Sequence, residues 1–102
     1  MTGNTFDALT KEQIDRSLAG LLSKSDEYAT EDRLHNFRTA AAMQGLTDKQ
    51  ALAGMMAKHT VSVYDMCWSG EDYPLALWEE KITDSINYLL LLNAMVREEA
   101  KK

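Results

Sequence analysis

Pro74 is the single proline of the 102-residue chain. It stands at the head of a segment, Leu75 to about Glu98, that is apolar on nearly every side. A helix of that kind has to be buried, in a core or at a subunit contact. Proline at its first turn is harmless, because the missing N–H belongs to the donors that a helix start leaves unpaired. Leu75, Trp78, Ile82, Leu89, Leu92 and Val96 mark one face at the 3.6-residue period. Ile86 and Leu90 widen it, and Leu77, Leu91 and Met95 lie on the other side. The chain is therefore expected to fold around one long C-terminal helix.

Three shorter helices precede it. Thr10-Lys11-Glu12-Gln13 fits a capping box, in which hydroxyl and amide side chains satisfy each other's backbone donors. Ile14, Leu18, Leu21 and Leu22 follow as one stripe, so the first helix is expected from Thr10 to around Lys24–Glu27, with residues 1–9 as an N-terminal arm. The polar stretch Ser23–Asp32, SKSDEYATED, reads as a connection. A second helix is expected from about Glu31 to Gln44, carrying Leu34, Phe37 and Ala41 and stopped by Gly45. Thr47-Asp48-Lys49-Gln50 is again a capping-box pattern. It opens a third helix with Leu52, Met55, Met56, His59, Val63 and Met66 on one face, ending before Ser69-Gly70. With five glycines, one proline and two phenylalanines, the composition argues against a turn-rich all-β domain. The expectation is one all-α domain over residues 1–102, a four-helix bundle-like fold whose apolar last helix makes it a homo-oligomer.

Several classes fall away. Cys67 is the lone cysteine, so no internal disulfide or cysteine-rich zinc site can form. The opening MTGNTFDALTKEQ has neither the basic nor the apolar region of a signal peptide. The longest apolar run, Tyr88–Leu92, is far short of the ~20 residues that span a bilayer. A cytoplasmic protein without a membrane partner is expected. A net charge of -5 gives no general attraction to nucleic acid.

The polar residues of the last helix carry the chemistry. Glu80, Asp84 and Asn87 fall within about 60° of one another at 100° per residue. Carboxylates at i and i+4 can share a divalent cation, and oxygen-only ligands suit Mg²⁺ or Mn²⁺. The same residues also read as a solvated strip, with the Glu80–Asp84 repulsion offset by Lys81. Asp26, Glu27, Glu31 and Asp32 lie close in sequence and repel unless a cation or a basic group sits among them. Arg33 and Lys24 can do this locally. Alternatively, Asp26 or Glu27 completes a metal site with Glu80 and Asp84, which places Tyr28, His35 and Asn36 near a ligand. Lys58 is a surface cation, or a phosphate contact if it turns inward. His59, on an apolar stripe, reads more readily as a satisfied core residue than as a catalyst. Met55, Met56 and Met66 read as packing.

In order, these segments resemble a known family. The loop Lys24-Ser25-Asp26-Glu27-Tyr28-Ala29 is followed by Asn36-Phe37, by Lys58-His59 late in a helix, and by EKITDSINY from Glu80 to Tyr88. Over roughly Leu21 to Val96 the chain looks like small phage and prophage proteins related to the nucleotide-modification-associated domain. More remotely it is similar to the all-α nucleoside-triphosphate pyrophosphatases of the MazG and dimeric dUTPase type. It departs from the latter in having no E-E-x-x-E motif before the last helix, and in carrying Tyr28-Ala29 where Tyr-Gly is usual.

The resemblance implies an oligomeric helical bundle that binds a nucleotide with Mg²⁺ and cleaves it between the α and β phosphates. It puts Asp26, Glu80 and Asp84 on the metal and Glu27 on the water as base. Lys58 would face phosphate, and Tyr28 or Asn87 base or sugar. The competing expectation is a small acidic interaction protein that binds a host protein, such as a defence factor, with no catalysis. Its acidic faces would mimic phosphate.

Overall fold

The computed structural model describes residues 1–27 and 32–101 and, of residues 24–27, the backbone only. It contains α1 (Gly3–Glu27), α2 (His35–Gln44), α3 (Asp48–Ser69) and α4 (Leu75–Ala100), with no strand among the described residues. The fold is all-α, as the patterning requires. No helix among them is long and apolar enough to cross a membrane.

Three of the expected boundaries are made by the groups that announced them. The Thr47 hydroxyl accepts from the Gln50 N–H at 3.2 Å, and the Gln50 carboxamide accepts from the Thr47 N–H at 3.0 Å, closing the capping box of α3. Gly45 ends α2 in the left-handed region at φ 67. The Leu46 N–H reaches back from there to the Ala41 carbonyl at 2.8 Å, the bond of a Schellman turn. At the head of α4 the Pro74 carbonyl accepts from Leu77 and Trp78.

Two boundaries move. The first helix starts at Gly3, not near Thr10, so the expected arm of residues 1–9 is helical. The Thr2 hydroxyl accepts from the Thr5 N–H at 3.2 Å, and this earlier cap, with no breaker after Gly3, leaves Thr10 inside the helix. α2 starts at His35 rather than near Glu31. The Asp32 carboxylate accepts from the Leu34 N–H at 3.1 Å and the Asp32 carbonyl from the His35 N–H at 3.1 Å, a local turn that competes with helix.

α3 runs antiparallel to α4. Lys49 pairs with Glu99 at 3.0 Å near one end, and His59 faces Asp84 nearer the middle. α2 packs on α3, and among the described residues α4 is the one helix on which α1 packs. Arg38 of α2 ties three segments together through Asp32 at 2.9 Å, Asp48 at 3.8 Å and Glu98 at 2.6 Å. The hydrogen bond to Glu98 is the main cause of a raised Arg38 pKa; desolvation opposes it, and the charges of Asp32, Glu98 and Asp48 add to it. The core is Leu34, Phe37, Leu52 and Met95, with Tyr88, Leu91 and Leu92 against it.

The faces of α1 and α4 are not the ones that hydrophobicity alone selects. α4 buries Asn87 and Met95, whereas Leu75, Ile82, Leu89 and Val96 stay exposed at 71%, 39%, 56% and 47%. On α1, Ile14, Leu18 and Leu22 are exposed while Ser17 is buried. The reason is close approach. Gln13 donates to Thr83 at 3.0 Å and to Ser17 at 3.1 Å. A Cβ on Gly20 would lie 3.3 Å from the Asn87 amide nitrogen. Small and hydrogen-bonded residues let the two backbones come together where leucines would hold them apart. Gly20→Leu is therefore expected to lower stability by about 1–3 kcal/mol through overpacking, read from urea denaturation. An unchanged midpoint would show that α1 does not need this approach.

Candidate functional site

A cavity of about 500 Å³ opens between α2, α3 and α4, beside the end of α1. That is within the ~300–1,000 Å³ range of small-molecule sites. Its wall is the buried edge of α4, where Asp84, Asn87, Tyr88 and Leu91 recur at helical spacing. α3 contributes Met55 and His59 from the facing edge. The approach to α2 and its first turns contribute Arg33, His35, Asn36 and Phe37. The apolar members belong to or border the core, so the polar ones are held by packing.

Three buried polar atoms at this cavity have no hydrogen-bond partner: Arg33 Nε, His59 Nδ1 and Asn87 Oδ1. The Arg33 guanidinium is anchored by its Nη2, which donates to the Leu21 carbonyl at 2.7 Å; its Nε is left over. His59 Nδ1 stands 3.8 Å from Asp84 Oδ2, within reach of charge attraction but too far for a hydrogen bond. The His59 ring lies against Tyr88, with centroids 5.1 Å apart and planes 42° from parallel. Buried polar groups are almost always paired, and each unpaired one costs about 1–3 kcal/mol. All three belong to residues that line the cavity.

The structure brings Asp84 and Asn87 to this cavity, as their shared azimuth predicts. Glu80, one turn earlier on α4, is exposed and does not line it. Lys58 is exposed on α3 and also lies off the cavity. Asp26 and Glu27 end α1, and their side chains, like all of Tyr28, lie outside the described residues. Among the described residues no group of three or more His, Cys, Asp or Glu gathers as a metal would require. Arg33 and His59 were legible only in part. Arg33 sits among acids, which gave it a neutralising role. His59 sits on a Met-rich stripe, which gave it a packing role, yet both reach the cavity. Met55, expected in packing, borders it as well.

No family model matches the chain, and neither a curated protein nor a solved structure matches it.

Asn87→Ala removes the unpaired acceptor and adds no bulk against Gly20. Its urea midpoint is expected at or above that of the unsubstituted protein, since no bond is lost with Oδ1. A loss of about 1 kcal/mol or more would mean that this oxygen is paired in the free protein.

Proposed function

We propose that the protein binds a nucleotide in this cavity, together with a divalent cation, Mg²⁺ or Mn²⁺. The observation that carries the reading is that Arg33, His59 and Asn87 line one cavity and each keeps a buried side-chain atom without a partner, Nε, Nδ1 and Oδ1. Arg33 offers only a donor, with a positive charge, and asks for an anionic oxygen. Asn87 Oδ1 offers only an acceptor and asks for an N–H or O–H. A ligand that answers both has a phosphate at one end and a hydrogen-bond donor at the other, as a nucleotide does. Arg33, not the exposed Lys58, then meets the phosphate. Asn87 reads the base or sugar.

Asp84 in the same cavity would repel a phosphate unless a cation stood between them. Asp84 would be its ligand on this reading; Glu80 is exposed and off the cavity, so a second carboxylate would have to come from Asp26, with Tyr28 at the base, both outside the described side chains. When bound, the cation polarises the phosphoryl oxygens and acidifies a water. Glu27 would take the proton of the attacking water as its oxygen bonds to the α phosphorus, and the P–O bond to the β phosphate would break, giving a monophosphate and pyrophosphate. The choice of a nucleotide among phosphate ligands rests on the resemblance read from the sequence of residues 21–96.

The test is thermal melting with deoxynucleoside triphosphates, with and without millimolar Mg²⁺, alongside an assay for pyrophosphate. A ligand that binds only the native state raises the midpoint. The expected result is a rise that needs nucleotide and metal together and that disappears in Arg33→Ala and Asp84→Ala. No rise with any nucleotide removes the proposal. A rise without pyrophosphate release keeps the binding and removes the hydrolysis.

A further inference from the structure

Leu75, Ile82, Leu89 and Val96 follow one another at seven-residue intervals along α4, and all four are exposed. Three residues after the first three come Trp78, Ser85 and Leu92, each half-buried; Trp78 already meets Tyr73 edge-on and Leu92 packs on the core. One apolar position per heptad therefore makes the exposed seam, a stripe that another helix with the same repeat can cover. This seam runs for about 32 Å at 1.5 Å per residue. Leu90 lies next to it and shares a second groove with Leu18 and Leu22 of α1, so the apolar surface continues onto that helix.

The surface area says how much is missing. The chain exposes 7537 Å², whereas a folded monomer of 11.5 kDa exposes about 5,800 Å². The excess is about 1,700 Å² per chain, part of it on the uncovered start of α1; a standard interface needs only ~800 Å² from each partner, about half of that excess. The radius of gyration agrees: 15.8 Å against about 13 Å for a compact domain of this length.

We infer that the exposed α4 seam is the interface between two copies of this chain, packed α4 on α4 about a two-fold axis. A self-complementary patch closes as a dimer and leaves no open end. The seam and the cavity use opposite sides of α4. Ile82 and Asp84 stand two residues apart, as do Leu89 and Asn87, and two residues turn a helix by about 200°. Dimerisation therefore leaves the cavity open, and the pairing stands or falls independently of the nucleotide reading.

The experiment is sedimentation equilibrium of the full chain from low to tens of micromolar, with circular dichroism in parallel. The expected particle has twice the 11.5 kDa of one chain. Ile82→Lys with Leu89→Lys is expected to give the single-chain mass with the helix signal kept, because both side chains are exposed in the monomer. If that variant loses its helix signal, Leu89→Ala decides instead, with dimer dissociation expected to rise at least about tenfold, or ~1.4 kcal/mol. A wild-type particle of one chain throughout the range overturns the inference and leaves the seam to a different protein. So does a two-chain particle that Ile82→Lys/Leu89→Lys leaves intact, or an unchanged dissociation constant in Leu89→Ala.

Discussion

The burial of Leu91 and Met95 of α4 against Leu34, Phe37 and Leu52 fixes the arrangement of everything else. It sets which side of α4 faces inward. The inward side then carries Asp84, Asn87 and Tyr88 to the cavity, because they repeat at the same helical spacing. It also turns Leu75, Ile82, Leu89 and Val96 outward. One rotational choice about a single helix axis thus determines both the polar cavity and the apolar outer face. Only a few kcal/mol of apolar burial make that choice, since the fully buried side chains are few.

Local chemistry was legible in the sequence wherever it is self-contained. The Thr47–Gln50 box, the left-handed Gly45 and the placement of Pro74 need only neighbours within a few residues, and they stand where the pattern put them. The start of α1 was misread because two threonine caps compete and the earlier one holds. The orientation of α4 was not legible. Its more hydrophobic side is the exposed one, and its buried side contains an asparagine. Burial there follows from the approach of Gly20 and Ser17 on a helix far away in sequence, which periodicity within α4 does not encode. The site divides the same way. Asp84 and Asn87 share an azimuth and could be paired on paper. Arg33 and His59 join them only through tertiary packing.

Arg38 carries much of the electrostatic organisation. It gathers Asp32, Asp48 and Glu98 from three segments, in a chain with five more acids than bases. Each of these pairs is partly exposed and individually weak. Together they join the turn before α2, the start of α3 and the end of α4. The same arginine that offsets acidic repulsion also holds closed the end of the bundle next to the cavity, and added salt weakens this restraint while leaving the apolar core unaffected.

The bond from Gln13 to Thr83 spans 70 residues. α2 packs on α3 and α3 on α4, so their contacts join successive elements and form with little loop-closure entropy. Among the described residues α1 has no such neighbour and packs on the last helix. On a ribosome, which makes residues in order at about 5–20 per second, the first helix emerges long before its docking surface exists. Ile14, Leu18 and Leu22 stay exposed even after docking; what waits for α4 is the face of Gln13, Ser17 and Gly20. Docking of α1 is therefore a late, high-contact-order step, held by close approach and hydrogen bonding more than by leucine burial.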